Sequence, residues 1–310
     1  MDDHVDGAVL AEVTRSGLIE SEHRGHLVLL DAQGSIQLLK GDASVKIFPR
    51  SSIKAIQASA MVRSGLQLEP RLLALVAASH SGSSMHQSAV LEILKLGGLE
   101  SGALQNTIDR PLGENERRDW GSTPSTSLAQ NCSGKHAGML LTSVSHGWSI
   151  ESYLDPFHPV QLACRKELED LSGEEVSLVS IDGCGAPLFA ITLIGLARAI
   201  HRMTLSTDPI HHLVLQSCRD FPEMVAGEGR FTTRKMREVP GLFMKEGAEG
   251  VEIGSLPDGR TFAFKVSDGS GRAAGVLAVA ALDRLGVHSK PEAVPIYGGK
   301  QIVGSIRATF

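Results

Sequence analysis

Cys132-Ser133-Gly134-Lys135-His136 sets a thiol, a hydroxyl, an amine and an imidazole almost side by side. Downstream, Asp182-Gly183-Cys184-Gly185 adds a carboxylate and a second thiol. Neither stretch has the periodicity of a helix or a strand, so this crowding of reactive types reads as a site rather than as packing. The two cysteines admit a shared metal or paired thiol chemistry. A lone free Cys is usually a small buried apolar residue. Here the neighbouring Asn131, Lys135, His136 and Asp182 weigh against that reading.

A second constellation is Ser51-Ser52-Ile53-Lys54. On a helix, positions three apart share a face, so Ser51 and Lys54 can touch, and the hydroxyl sits at the positive end of the helix dipole. Lys serves as a base only when neutral, which requires burial or a second cation to depress its pKa. Taken alone the motif is weak, because a Ser near a helix start is commonly just a cap.

The elements that must carry these residues follow from the rest of the chain. At 310 residues and 42% hydrophobic, it can bury one large core or two ordinary ones. A net charge of −5 without a basic run argues against a nucleic-acid partner. Four Cys do not make a disulfide framework, and Cys164 and Cys218 read as core residues. The N-terminal stretch lacks a basic start followed by an apolar core, and no apolar run is long enough to span a bilayer. The expectation is a cytoplasmic protein with no membrane partner.

Residues 26–40 predict a β-hairpin turning at Gln33-Gly34, with an earlier strand in 8–20. Ser51 or Ser52 caps a predicted helix to about Arg63, 71–79 is a buried helix or strand, and 86–96 is helical. Residues 101–131 are polar and irregular, long enough to be functional. Helices are expected over 134–145, 158–171, 184–202 and 207–219. A second hairpin, 250–255 with 261–266, turns at Pro257-Asp258-Gly259, and an amphipathic helix covers 271–285. This order predicts an α/β fold whose N- and C-terminal strands join in one mostly antiparallel sheet flanked by helices, with a helical subdomain and the site at the seam. The chain 1–310 is then a single catalytic unit, with 8–63 plus 245–310 as the sheet part and 64–244 as the mainly helical part.

Lys265-Val266-Ser267 follows a β-pattern, and Ser133-Gly134-Lys135 lies between it and the Ser-x-x-Lys motif. That order of three elements is similar to the penicillin-binding proteins and class A β-lactamases, with departures in the second and third members. It suggests a related scaffold with different chemistry. A closer resemblance rests on five segments together: Arg50-Ser51-x-x-Lys54-Ala55-x-Gln57-Ala58, Ala78-Ser79-His80-Ser81, Asn131-Cys132-Ser133-Gly134-Lys135-His136-x-Gly138-Met139, Asp182-Gly183-Cys184-Gly185-x-Pro187, and Met224-Val225-Ala226-Gly227-Glu228-Gly229-Arg230. Over roughly residues 8–285 the chain resembles the bacterial asparaginase II family, the rhizobial-type asparaginases. The resemblance implies a serine β-lactamase/glutaminase-like fold, a homodimer, and hydrolysis of L-asparagine to L-aspartate and ammonia. It implies two Ser–Lys pairs, Ser51 with Lys54 and Ser79 with Lys265, and a zinc site of Cys132, Lys135 and Cys184 with Asp182 beside it. Gly82-Ser83-Ser84 stands where acidic residues are common in that family, a departure that bears on substrate preference.

An amide is a poor electrophile, and an activated Ser splits its hydrolysis into acylation and deacylation. Lys54, kept neutral by Lys265, would accept the Ser51 proton and a protonated Lys would return one to departing ammonia. Ser51 is favoured as nucleophile because Lys54 shares its helix face, leaving Ser79 as a relay. Arg50 is a candidate for the substrate carboxylate, with a surface ion pair as the alternative; His80, His136 and Asp182 are candidate substrate-binding residues. A Lys ligand to zinc must be deprotonated, so His136 and Asp182 are the generic alternatives. Two other functions remain open: a Ser–Lys acylating hydrolase of the β-lactamase, glutaminase or peptidase kind, and a non-catalytic zinc- or thiol-based binding protein. The missing leader argues against the first and the paired Ser–Lys motifs against the second.

Overall fold

The computed structural model describes residues 7–310; the first six residues, part of the stretch read for a leader, lie outside the described residues. The strands are β1 (Ala8–Arg15), β2 (Leu18–Leu30), β3 (Ile36–Lys40), β4 (Lys46–Ile47), β5 (Leu178–Ile181), β6 (Pro187–Thr192), β7 (Phe243–Gly247), β8 (Val251–Ser255), β9 (Thr261–Val266), β10 (Pro295–Gly298) and β11 (Gln301–Ala308). The helices are α1 (Lys54–Arg63), α2 (Pro70–Val76), α3 (Ser84–Leu96), α4 (Glu114–Trp120), α5 (Ser133–His146) and α6 (Pro159–Ser172). Then follow α7 (Leu193–Leu205), α8 (Pro209–Asp220), α9 (Pro222–Val225), α10 (Phe231–Glu238) and α11 (Ala274–Arg284). None of these helices, among the described residues, is long and apolar enough to cross a membrane.

The described chain divides into two units, one of residues 7–52, 191–205 and 238–310, the other of 53–190 and 206–237. The first unit holds an antiparallel sheet in the order β10-β11-β1-β2-β9-β8-β7, with β3 also paired to β2. Strands from both ends of the chain thus share one sheet, as expected. Leu27, Val28, Leu29 and Leu30 are all fully buried along β2, so both faces of that strand are covered. Within this unit α7 packs on β2, β8 and β9, and α11 on β1, β8, β9 and β11. The turn after β2 is set by Asp31, whose Oδ1 accepts the backbone N–H groups of Gln33 and Ser35.

The second unit is built around α1, in which every residue from Lys54 to Met61 is buried. It packs against α2, α5, α6 and α8. Ala55, Ala58, Ser59 and Ala60 are small enough to let the neighbouring helices approach. Glu167 of α6, Arg63 of α1 and His211 of α8 join three of these helices through one ion cluster.

Several local expectations need correction. The stretch 184–202 is not one helix: Gly185 closes a turn with its N–H on the Asp182 carbonyl, Pro187–Thr192 forms β6, and α7 begins only at Leu193. The apolar run from 187 to 192 carries no decisive periodicity, and cross-strand pairing to β5 settles it as a strand. Neither Ser51 nor Ser52 caps α1; Arg50–Ile53 is a 3-10 turn, and the Ser52 hydroxyl donates to the Pro49 carbonyl instead. Residues 70–76 are helical, the irregular stretch 101–131 contains α4, and the C-terminal tail adds β10 and β11 to the sheet edge.

Candidate active site

The second unit gathers most of the chemistry-bearing residues. After α2 the chain runs extended through Ser79, His80 and Ser81. Backbone N–H groups of Ser79 and Ser81 donate to the carbonyls of Val225 and Ala226, and that of His80 to the carbonyl of Asn131. The guanidinium of Arg230 donates to the Ser79 carbonyl at 2.8 Å. The Gly227–Arg230 loop therefore braces this segment. A side chain at Gly227 would run into Ser81, since its Cβ would lie 2.1 Å from Ser81 Oγ, and its φ of +145° suits glycine.

Cys132 stands at the start of α5. Its N–H donates to Gln130 Oε1, which also accepts from Asn106. Gly134 lets the first turn of α5 press against the end of α2: a Cβ there would lie 2.4 Å from the Leu75 carbonyl oxygen. That close approach brings Cys132 within reach of Lys54. The Lys54 amine, 1% exposed, donates to the Ala78 carbonyl at 2.5 Å, to Ser79 Oγ at 3.3 Å and to Cys132 Sγ at 3.1 Å.

Asp182 and Cys184 sit on the turn joining β5 to β6, where Ile181 pairs with Pro187. Both Cys132 and Cys184 are buried and packed with Ala186. The Lys135 amine donates to Cys184 Sγ at 3.6 Å, and Asp182 Oδ2 lies 3.6 Å from the same sulfur. The hydrogen bond from Cys132 pulls the Cys184 thiol down to about 5, against its burial and with help from Lys135. The same bond, together with burial, pushes Cys132 up to about 12. The two thiols are thus pushed in opposite directions, Cys184 toward the thiolate and Cys132 away from it. Burial opposes the charge of Lys135, but Cys184, Cys132 and Asp182 hold its ammonium above the ordinary value.

Two buried imidazoles complete the cluster. His80 Nε2 lies 2.9 Å from Ser133 Oγ, and the Ser133 hydroxyl donates to the Leu128 carbonyl at 2.8 Å. Ser133 has one proton and has used it, so His80 donates from Nε2. Its Nδ1 is then a bare acceptor, buried without a protein partner among the described residues. Burial above all, then His86, Lys54 and Arg230, lowers its pKa well below the ordinary value, so the ring is neutral. His136 Nδ1 lies 2.8 Å from the hydroxyl of Tyr153. Burial and the Lys135 cation push His136 down to about 3.

The remaining predicted site residues belong to the first unit. Ser51 is buried in the 3-10 turn, and Arg50 there has a φ of +54° and lies 3.8 Å from Glu249. Lys265 on β9 donates to the carbonyls of Glu249 and Val266 at 2.7 and 2.6 Å. Burial lowers its pKa, with Glu249 and Asp268 opposing and Arg50 assisting. Sequence reasoning missed Tyr153, Gln130 and Asn106; a Tyr in a polar loop and two amides offer no signal until the chain is folded.

Among the described residues, no three His, Cys, Asp or Glu side chains converge as a metal cluster. A zinc-class ion would therefore need the Lys135 amine as its third ligand. The donor set fits. The 3.6 Å between Lys135 Nζ and Cys184 Sγ is the separation that metal–ligand bonds of about 2.1 and about 2.3 Å leave at a tetrahedral angle, and two cysteines packed in one buried cluster suit a thiophilic metal.

Among solved structures, a protein named Mglu in its native form aligns with 86% of this chain and 65% of its own, at 14% identity and a TM-score of 0.50. The chain thus spans about two thirds of the length of Mglu. A β-lactamase from Mycobacterium bovis aligns over 84% of this chain and 92% of its own, at 13% identity and a TM-score of 0.46. A Bacillus glutaminase gives 86% and 92%, at 12% identity and 0.42. The likeness to Mglu is one of fold, an antiparallel sheet accompanied by helices. No curated protein matches the sequence. The family model for L-asparaginase II, by contrast, matches residues 11–304, nearly the whole chain, and the protein belongs to that family.

Proposed function

We propose that the protein is an amidohydrolase that converts L-asparagine to L-aspartate and ammonia through a Ser–Lys-activated hydroxyl. The observation that carries this reading is Lys54, a buried amine in contact at once with the Ser79 hydroxyl and the Cys132 thiol. A buried amine on a serine hydroxyl is the minimal apparatus for moving a proton during acyl transfer. In the ammonium form Lys54 is purely a donor, so the active form must shed a proton before it can accept one.

In this reading the Ser51 oxygen attacks the side-chain amide carbon, and its proton passes to Lys54. The Lys54–Ser79 contact relays a proton to the departing nitrogen, which leaves as ammonia. Water then cleaves the ester, with the same amine taking the water proton and returning it to the departing Ser51 oxygen. Lys265 helps to keep an amine neutral, and Arg50, His80, His136 and Asp182 bind the substrate. These roles rest on the family's motifs. Cys132, Cys184 and Lys135 would hold a zinc ion, which when bound polarises and orients a ligand oxygen. A homodimer in the cytoplasm, again by family resemblance, is part of the proposal.

Ammonia release from purified protein, with L-asparagine and L-glutamine in parallel, tests the reading. L-Asparagine is expected to have the higher kcat/KM. One methylene in a pocket is worth about 1–3 kcal/mol, so the preference should lie between roughly tenfold and a few hundredfold. Equal or greater efficiency with L-glutamine would make the glutaminase-type alternative the better account.

A further inference from the structure

Tyr153 is fully buried, and its ring meets that of His136 edge to face, with centroids 5.6 Å apart. Its hydroxyl accepts the backbone N–H of Gln105 at 3.0 Å and contacts His136 Nδ1 at 2.8 Å. The Gln105 side chain is tied to the carbonyls of Ile150 and Glu151, so this loop is held in place from both sides. His136 Nε2 is buried and meets no protein partner among the described residues.

Counting protons decides the state of the ring. A phenol has one proton to give, and Gln105 is a donor, so the Tyr153 proton has only His136 Nδ1 to go to among the described residues. With the ring proton on Nε2, one buried group is left unpaired, the Nε2–H. With it on Nδ1, both the Tyr153 O–H and the Nε2 lone pair are stranded. An imidazolium strands two donors and adds a buried cation next to Lys135. Each stranded group costs its full desolvation. The first arrangement is therefore the ground state, on geometry alone.

A fixed, neutral, unpaired N–H donor inside a site is a request for an oxygen acceptor. The groups that act electrostatically on this ring include the amines of Lys135 and Lys54, and with them Cys132 and Asp182. The amidohydrolase reading supplies such an acceptor, a carboxylate of the amino-acid substrate. We propose that Tyr153 is a positioning residue that holds His136 as the Nε2–H tautomer, and that this N–H binds a carboxylate oxygen of the amino-acid ligand. The identity of the ligand rests on the amidohydrolase reading; the tautomer does not.

The test separates the two. Protein labelled with 15N-histidine reports the tautomer directly, the His136 signals being those missing from His136→Gln. L-Aspartate, a product-like probe with two carboxylates, reports the contact by calorimetry. A Gln amide N–H falls near the position of Nε2, whereas an Asn amide falls near Nδ1. We expect wild-type His136 to be protonated on Nε2, with that nitrogen shifting on addition of L-aspartate. Tyr153→Phe should mix the tautomers and weaken L-aspartate roughly tenfold. His136→Gln should bind within about threefold of wild type and His136→Asn roughly tenfold or more weakly, the loss expected of one unmade bond to a charged group. A proton on Nδ1 in the wild type overturns the role of Tyr153. Gln and Asn variants of equal affinity, whether both tight or both weak, overturn the ligand contact. Wild type with the Nε2 tautomer but no affinity for L-aspartate overturns the amidohydrolase reading and leaves the tautomer standing.

Discussion

Replacing Glu167 by Gln should unfasten the helical unit in a way that depends on pH. The carboxylate is 5% exposed and accepts from His211 Nε2 at 2.7 Å and from Arg63 Nε and Nη2 at 2.9 and 3.1 Å. Burial works against its charge, but His211 and Arg63 bring the carboxyl from an ordinary 4.5 down to about 2. A depression of that size corresponds to about 3 kcal/mol of differential stabilisation. The guanidinium of Arg63 is 45% exposed and keeps Asp208 at 2.6 Å. It can rehydrate when Glu167 is lost, so the cost falls below the ~3–5 kcal/mol of a fully buried broken pair. About 2–3 kcal/mol at neutral pH is the expectation for Glu167→Gln. The folded-state carboxyl titrates below the unfolded one, so its contribution is complete above about pH 4.5 and fades as the pH falls toward 2. Urea unfolding of both proteins at about pH 7, 4 and 3 checks this. The gap should shrink slightly at about pH 4 and by more than half at about pH 3. A gap that stays constant with pH, or that is under about 0.5 kcal/mol at neutral pH, would refute the reasoning.

Three further outcomes are expected. Ser51→Ala, Lys54→Ala and Lys265→Ala should each remove nearly all ammonia release while circular dichroism stays native, and double variants should cost little more than single ones, because such groups act as a unit. Purified protein should carry one zinc-class ion per chain, lost in Cys132→Ala and released as pH falls, since the ligands must be deprotonated; chelation should raise KM more than it lowers kcat, and equal metal content in the variant and wild type would remove the two thiols from the metal reading. Gly134→Ala should destabilise by about 1–3 kcal/mol, because its Cβ would meet the Leu75 carbonyl, and should also lower metal content by displacing Lys135; a thermal midpoint equal to wild type would show that α2 and α5 can part freely.

What the sequence disclosed and what it hid follow one physical rule. Cys132, Lys135 and Cys184 stood out because reactive types crowd into two short stretches without helix or strand periodicity, and Lys54 by its spacing from Ser51; the Asn131–Met139 and Asp182–Pro187 segments added spacing to type. The hairpin after Gly250 and the helix before Leu285 were legible because turn residues and periodicity both lie within a short window. Strand β6 was hidden because its six residues are nearly all buried, and a short apolar run looks alike in either secondary structure. The strands β10 and β11 were hidden for the opposite reason, being half exposed at a sheet edge with few buried positions and little alternation to read. Tyr153 was invisible since its partners, His136 and Gln105, reach it from other parts of the fold.

The pairing of β1 with β11, Ala11 opposite Ala308, has a bearing on how the chain emerges from the ribosome. The strands β1, β2 and β3 are made before β9 and β11, so β2 waits for β9 and β1 for β11. Every residue of the helical unit has been added before β7 begins. Synthesis therefore leaves an incomplete sheet with open strand edges while helices can already pack, and open edges are where nascent chains associate with one another. Loss of β11, Gln301–Ala308, would leave one edge of β1 open, a change felt first as insolubility of the newly made chain, before any effect on chemistry.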